Sequence, residues 1–199
     1  MTKKLLLLMA GFALSTMSTM SAASAMAASP ASAASVETGS RKDLQVFHDV
    51  SKAVTRYVHF TVFDSVDASV KDGVVTLTGR VTMPFKRDDI ERRVAKIDGV
   101  REVRDEISVL PVSQFDDQIR YRVARAIYTN PNFWNYAILA DPPIHVVVEH
   151  SRVTLTGTVQ SEVEKALARS IATGQFGVMS VTNSLRTEAE VKDALEKAF

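Results

Sequence analysis

The pentapeptide "VTLTG" occupies residues 75–79 and occurs again, unchanged, at residues 153–157 of a 199-residue chain. When the two copies are aligned without gaps, the match extends outward on both sides. The positions that align are Val66, Ala68 and Val70 with Ile144, Val146 and Val148, and Gly99-Val100 with Gly177-Val178. Similarity at one fixed offset is the signature of an internal repeat. The chain is therefore predicted to contain the same fold twice.

Each copy has the same order of predicted elements. In the first copy, apolar residues recur at steps of three or four, which is the period of one helix face. They are Leu44, Phe47, Val50, Val54 and Val58. Residues 66–81 then alternate apolar and polar on both sides of "KDG", which predicts a β-hairpin. In the centre of the hairpin, Gly79 is expected to leave room for the next helix to approach.

A second helix and a last strand complete each copy. In the first copy, Pro84 suits the first helical turn and Gly99 is expected to end the helix as a C-cap. In the second, Ser161 with Glu164 forms a capping box. A right-handed crossover would place the last strand, through Val103 in the first copy, parallel to the one before it. The predicted class is α+β: two tandem α-β-β-α-β modules, each a three-stranded mixed sheet packed by two helices.

The domain boundaries follow from these elements and from the N-terminal sequence. Lys3 and Lys4, an apolar run at 5–14 and the small residues Ala25 and Ala27 predict a secretory signal peptide over residues 1–27. Ten apolar residues are too few to span a bilayer. The remaining boundaries are a flexible spacer (28–42), the first module (43–110), a linker (111–114), the second module (115–187) and a C-terminal helix (188–199).

The connections between these parts lead to two further expectations. Pro111 stiffens the short linker, so the modules are expected to keep a fixed relative orientation. The C-terminal helix has Val191, Leu195 and Phe199 on one side. It is expected either to dock on the second module or to fray.

Composition excludes several classes of function. The sequence has no cysteine, which rules out disulfides, a zinc–thiolate site, a cysteine nucleophile and a lipid-modified N-terminal cysteine. The 24 basic and 23 acidic residues nearly balance, which argues against nucleic-acid binding. No phosphate-binding, dinucleotide-binding or metalloprotease motif occurs. We expect an exported, soluble protein that uses no cofactor or metal and is not an enzyme.

Few polar residues are placed for chemistry. His145 and His150 fall on opposite faces of one predicted strand, so they cannot share a metal from that strand. Asp105 and Asn183 occupy equivalent places on the core-facing side of the two last strands. A polar residue there needs a hydrogen-bond partner. Either that partner is the backbone, or the side chain contacts a ligand.

The clearest difference between the copies is an insertion in the second. Residues 54 to 79 span 25 positions and residues 123 to 157 span 34. The extra residues fall within 129–144, which contain Phe133, Trp134 and Tyr136. Aromatic residues on a loop suit an interfacial or protein contact, because they combine apolar area with a polar group. The alternative is that they pack back onto the module.

The helix before this insertion has a basic and aromatic face. Tyr121, Arg122, Arg125 and Tyr128 lie roughly opposite its apolar stripe. Such a face could meet anionic lipid headgroups, and the alternative is a solvated helix surface. The sequence thus nominates Phe133, Trp134, Tyr136, Arg122 and Arg125 as lipid- or partner-binding residues.

Two exported α-β-β-α-β modules, each with "VTLTGxV" and a later Gly-Val, resemble BON domains. That family is named for an osmotically induced periplasmic protein and for nodulation proteins. The resemblance implies non-enzymatic binding to anionic phospholipid or to envelope proteins, in support of envelope integrity under stress. It implies a periplasmic location and peripheral contact with the membrane; after signal cleavage no transmembrane span is expected. The family positions that carry over are Gly79, Gly99, Gly157 and Gly177. Some two-module relatives are anchored lipoproteins, and this chain lacks the cysteine that an anchor needs.

Overall fold

The computed structural model describes residues 31–198, with side chains described from 42 to 197. The predicted signal peptide, the start of the spacer and Phe199 lie outside the described residues. No helix within 31–198 has the length and apolar character needed to cross a bilayer.

Within residues 31–198, six strands and six α-helices follow one another in two similar series. The first comprises α1 (Ala31–Thr55), β1 (Ser65–Lys71), β2 (Val74–Val81), α2 (Pro84–Val94) and β3 (Glu102–Val109). The second comprises α3 (Gln114–Tyr128), a 3-10 turn (Pro131–Phe133), α4 (Trp134–Ala137), β4 (Ile144–Glu149), β5 (Arg152–Val159), α5 (Glu162–Thr173) and β6 (Ser180–Thr187). Helix α6 (Glu188–Ala198) ends the described chain.

The sheet topology confirms the predicted repeat. The strand orders are β1-β2-β3 and β4-β5-β6, so each central strand carries one copy of the pentapeptide. The first pair in each sheet is antiparallel and the second pair is parallel. The chain therefore has the α+β class and the two mixed three-stranded sheets expected from its sequence.

The alternating pattern buries one face of each sheet beneath two helices. In the first module, Val75 and Leu77 of β2 are fully buried against Phe47 of α1 and Ile90 of α2. The second core has the same plan; its central members are Ile119, Val123, Val153, Leu155, Ala168 and Leu185. Burial of these side chains, worth about 1.5–3 kcal/mol for each large one, is the main source of stability in a chain without disulfides.

An aspartate on the first helix holds the hairpin turn in both modules. The carboxylate of Asp43 accepts hydrogen bonds from the backbone N–H groups of Asp72 (2.7 Å) and Gly73 (2.9 Å). In the second module, Asp116 does the same for the N–H groups of His150 (2.9 Å) and Ser151 (2.8 Å). The turn residues have positive φ, between 51° and 75°. The carboxylates thus stabilise tight turns that favour glycine.

Helix α1 differs from its prediction at both ends. It begins at Ala31, within the stretch expected to be a flexible spacer. It ends at Thr55, so the prediction that Val58 faces the core is wrong, and Val58 is 83% exposed. After the end of the helix, the first side chain that enters the core is that of Tyr57, which is 4% exposed.

The repeated glycines are required for reasons other than those expected. A Cβ at Gly79 would lie 2.1 Å from the carbonyl oxygen of Ser65, and one at Gly157 would lie 1.9 Å from that of Pro143. The close neighbour is therefore the start of the adjacent strand and not the following helix. Their φ angles, 125° and 112°, also disfavour a side chain.

The later glycines are not helix caps. Helix α2 ends at Val94, and Gly99 lies beyond it in a turn with φ of 90°. A Cβ on Gly99 would lie 2.8 Å from Val46 of α1, so the glycine lets this turn approach the first helix. Gly177 occupies the same kind of turn after α5, with φ of 89°.

Residues 60–65, which lead into β1, form a joint between the modules. The carbonyl of Val62 accepts a hydrogen bond from the N–H of Val146 at 2.7 Å. The Phe63 ring contacts Tyr121 of α3 with 5.0 Å between ring centres and packs against the second core. The ring of Phe60 lies 5.3 Å from that of His145. These contacts give the expected fixed orientation a physical basis beyond the stiff linker.

A buried ion pair holds this joint to the first module. The Lys86 Nζ lies 2.6 Å from Asp64 Oδ2, and the Asp64 side chain is fully buried. Thr61 donates to the same carboxylate oxygen through its N–H and hydroxyl, at 2.9 and 2.7 Å. Thr82 donates to the other oxygen through the same two groups, at 2.7 and 2.9 Å. The carboxylate therefore connects the joint to the start of α2.

Helix α6 docks instead of fraying. Thr187 caps it by accepting a hydrogen bond from the N–H of Glu190 (3.2 Å), and Glu190 accepts one from the N–H of Thr187 (2.8 Å). Val191 is buried, and Leu195 packs against the core of the first module. The helix therefore starts on the second module and also contacts the first.

Candidate functional site

The aromatic insertion divides into a buried part and an exposed part. Phe133 is fully buried and Tyr136 is 5% exposed, both within the second core. Trp134 is 64% exposed and Ile138, one helical turn later, is 66% exposed. Direct surface contact by Phe133 and Tyr136 is thus ruled out in this conformation, because the packing alternative holds for both. Trp134 keeps the exposure that a contact needs.

Tyr136 anchors the insertion to the second helix of its module. Its hydroxyl donates to Glu164 Oε2 at 2.7 Å and accepts a hydrogen bond from the N–H of Gln160 at 2.9 Å. Burial, followed by the hydrogen bond to Glu164, raises the pKa of the Tyr136 hydroxyl well above its usual range. A neutral hydroxyl at this place lets α4 be fixed against the start of α5.

Helix α3 presents a mixed apolar and basic stripe. Phe115, Gln118, Arg122 and Arg125 recur at steps of three and four, and all except the partly buried Arg122 are exposed. Side chains at these steps share one helix face. Tyr128 does not join them, because its hydroxyl is hydrogen-bonded to the backbone of Ile144. Of the predicted basic face, Arg125 is exposed and Arg122 is half-buried, and Phe115 lies on the same side of the helix.

Arg122 connects this stripe to the turn after α5. Its guanidinium lies 5.6 Å from the centre of the Phe176 ring and donates a hydrogen bond to the Phe176 carbonyl. Phe176 and Met179 are 80% and 78% exposed. The tip of the Phe115 ring is near the same turn, at 3.3 Å from the position a Cβ would take on Gly177. We call Phe115, Arg122, Phe176 and Met179 the α3–turn surface.

Sequence reasoning missed the apolar members of this surface, although the repeat carried a signal for them. Phe176 and Met179 align with Asp98 and Arg101 of the first module. Because Phe176 and Met179 are exposed, packing of the core does not require this turn to be apolar in one copy and charged in the other. The two exposed side chains therefore mark a property of the second module alone.

The polar residues in the last strands bind the backbone, as the structural alternative expected. Asp105 accepts a hydrogen bond from the N–H of Ile107 at 3.0 Å. Asn183 accepts one from the N–H of Leu185 at 3.3 Å. His145, on the strand β4, is largely buried at the joint, whereas His150 lies in the hairpin turn. Among residues 31–198, no group of three or more His, Asp or Glu side chains is arranged to hold a metal ion.

Comparison with known proteins identifies one family. The BON-domain sequence model matches the chain twice, at residues 49–111 and 115–189. Two solved structures are similar in part, both of CdsD, a structural protein of the type III secretion system of Chlamydia trachomatis. One has 12% identity over 78% of this chain and 99% of its own, and the other has 10% over 71% and 96%. Both have a TM-score of 0.27. No curated protein matches the chain.

Proposed function

Because the chain belongs to the BON-domain family, we propose that it is a non-enzymatic periplasmic protein that contacts anionic phospholipid. Phospholipid binding is the property for which this family is known. In this proposal the second module makes the contact at the envelope membrane and supports envelope integrity under stress. The chain would bind as a peripheral protein, through one face of a folded module.

The observation that carries the proposal is the α3–turn surface. Phe115, Phe176 and Met179 expose apolar side chains, the Arg122 guanidinium lies against the Phe176 ring, and Arg125 follows one turn later on α3. An interfacial contact needs apolar groups that enter the headgroup boundary and cations that meet anionic lipid. Each basic residue near an anionic surface contributes about 1 kcal/mol. The combination fits a bilayer surface better than a charged small molecule, since three of the four side chains of the α3–turn surface are apolar and exposed.

The aromatic insertion would supply a second contact beyond the other end of α3. Trp134 and Ile138 are exposed on one side of α4, and tryptophan is favoured at membrane interfaces. Phe133 and Tyr136 act indirectly, since their burial fixes the backbone that presents Trp134. All five residues nominated by the sequence thus keep a role, but only three of them touch lipid.

Vesicle binding tests this proposal. Co-sedimentation with phosphatidylglycerol vesicles should fall at least severalfold for Phe176→Ala and for Trp134→Ala. It should fall further for Arg122→Gln with Arg125→Gln, and it should weaken as salt is raised. Phosphatidylcholine vesicles should bind the protein weakly. Phe85→Ala is the matched control, because Phe85 is 47% exposed on the first module and is not part of either contact.

Two results would overturn the lipid proposal: absence of binding to the anionic vesicles, or equal binding by all variants. If only Trp134→Ala weakens binding, the contact lies on the insertion and the α3–turn surface has another purpose.

A chaperone or adaptor that binds envelope proteins is the second candidate function. The exposure of Phe176 and Met179 favours it, because an apolar segment of an unfolded protein would cover the same side chains. This function predicts that the protein suppresses aggregation of a denatured client without lipid, and that Phe176→Ala loses the effect. Activity only in the presence of vesicles would exclude it.

A further inference from the structure

Each three-stranded sheet has two edges, and an exposed edge is a template for pairing with another chain. Strands β1 and β4 are edge strands that lie against each other at the joint, where the hydrogen bond from Val146 to Val62 is made. Strands β3 and β6 are the other two edges, and within residues 31–198 no further strand pairs with them. Any control of strand pairing at these two edges must come from side chains that bond to their outward backbone groups.

At the β3 edge, one side chain occupies an outward N–H group. Successive residues of an edge strand point their backbone groups alternately toward the neighbouring strand and away from it. The N–H of Leu110 donates to the carbonyl of Val81, at the end of β2, which places the even-numbered residues on the inner side. The N–H of Ile107 therefore points outward, where Asp105 Oδ1 accepts its hydrogen bond at 3.0 Å.

At the β6 edge, two outward N–H groups bond to side chains. Asn183, the repeat equivalent of Asp105, accepts a hydrogen bond from the N–H of Leu185 at 3.3 Å. Glu190, from α6, accepts one from the N–H of Thr187 at 2.8 Å. Two successive outward donors of β6 are thus already occupied by side chains of the same chain.

These side chains are fixed by the second helix of each module. The Asn183 amide donates to the carbonyl of Lys165 on α5 at 2.8 Å. In the first module, Arg87 of α2 lies 3.7 Å from Asp105 Oδ2. Arg87 and Lys165 occupy equivalent repeat positions, so the same two sites of the module are used in both copies. A polar residue that faces inward on an edge strand also loses core contacts. Both copies nevertheless have one at the same position, which indicates a shared purpose.

We propose that Asp105 and Asn183 close the free sheet edges and keep a second copy of this chain from adding a strand there. Each residue supplies the acceptor that a neighbouring strand would otherwise supply. Pairing with another chain must first break this intramolecular bond, so its gain is reduced by about one hydrogen bond, or roughly tenfold in the association constant.

The test measures self-association of the full-length mature protein. Sedimentation velocity over a range of concentrations should show a monomer for the parent and concentration-dependent dimers for Asn183→Val. The association constant should rise roughly tenfold, and further when Glu190→Ala is added. Thr182→Val is the matched control: it makes an exposed β6 residue equally apolar without freeing an edge donor, and it should stay monomeric. Glu190→Gln should also stay monomeric, because glutamine keeps the capping acceptor.

Several outcomes would overturn the proposal. It fails if folded Asn183→Val, judged by circular dichroism, remains as monomeric as the parent. It fails equally if Thr182→Val associates to the same extent, because added apolar area then explains the effect. If Asn183→Val does not fold, Asp105→Val in the first module and Glu190→Ala on the surface apply the same test, and monomeric behaviour of both refutes edge closure.

Discussion

Removal of the Asp64 carboxylate should destabilise the protein more than its single charge suggests. Asp64 is fully buried, and it accepts hydrogen bonds from Lys86, Thr61 and Thr82. Asp64→Ala would leave the Lys86 ammonium, itself 7% exposed, without its counter-ion. Breaking a buried ion pair from one side costs about 3–5 kcal/mol. We expect a loss of this size in the free energy of unfolding.

The double variant tests the cause of that loss. Asp64→Ala with Lys86→Met removes both charges, and the part of the loss caused by the unpaired Lys86 ammonium should return, because an apolar replacement of a buried pair is often neutral. The N–H groups of Thr61 and Thr82 stay without their acceptor, so recovery should be incomplete. Asp88→Ala is the control: Asp88 lies on α2 with 54% of its side chain exposed, and its loss should change stability by less than about 0.5 kcal/mol. A double variant as unstable as the single one would contradict the electrostatic explanation.

The effect should depend on pH in a defined direction. Burial of Asp64 raises the pKa of its carboxyl, but the hydrogen bonds from Lys86, Thr61 and Thr82 outweigh burial, so the pKa lies below its usual 3.8. A carboxyl with a lowered folded pKa stabilises the protein above the unfolded pKa and loses that contribution as the pH falls through the folded value. The stability difference between the parent and the double variant should therefore shift against the parent only below about pH 4.

Urea unfolding followed with two probes can also locate the damage. Trp134 is the only tryptophan and lies in the second module, whereas circular dichroism reports both modules. Because Asp64 holds the joint, Asp64→Ala should let the first module unfold before the second, so that the two curves separate. Coincident curves together with a loss below about 1 kcal/mol would refute the reasoning from burial.

Two further substitutions test the repeated backbone features. Gly157→Ala should destabilise by at least about 2 kcal/mol, because of its positive φ and the close carbonyl, whereas Gly174→Ala should be nearly neutral, since only ordinary contacts surround it; thermal unfolding compares them. Asp116→Ala should cost about 2 kcal/mol by freeing the N–H groups of His150 and Ser151, and Ser151→Gly should restore part of it by relieving positive φ. If Asp116→Ala has the same free energy of unfolding in urea as the parent, the turn does not depend on the Asp116 carboxylate.

The fold was predictable because the apolar residues recur at the helical period and at the strand period in the same order in both copies of the repeat. The register of "VTLTG" placed Val75 and Leu77 in the core, where the structure has them. The hydrogen bonds from the hairpin turns to Asp43 and Asp116 were not predictable from the repeat alignment. Asp43 and Asp116 are 73 positions apart, so they align neither at the offset of 78 that matches Gly79 with Gly157 nor at the offset of 69 that matches Val54 with Val123.

The candidate site was predicted only in part, for a physical reason. Aromatic residues suit a core and an interface equally well, and the sequence could not divide Phe133 from Trp134. Their separation follows from the 3-10 turn and α4, which direct neighbouring side chains to opposite sides. The Asp64–Lys86 pair was hidden for another reason: Glu164 aligns with Lys86, so the repeat offers no second copy of the pair.

The joint between the modules is heterologous: a loop of the first repeat meets the edge strand β4 of the second. Contacts of this kind are not self-complementary, so repeating the same geometry would add modules in a row or a ring and would not form a symmetric pair. In the second module, the segment that corresponds to residues 60–65 has been rebuilt by the insertion that contains α4. The second module therefore does not present the surface with which the first one docks. Ile138 and Leu139, which align with Phe60 and Thr61 of the joint, are exposed instead.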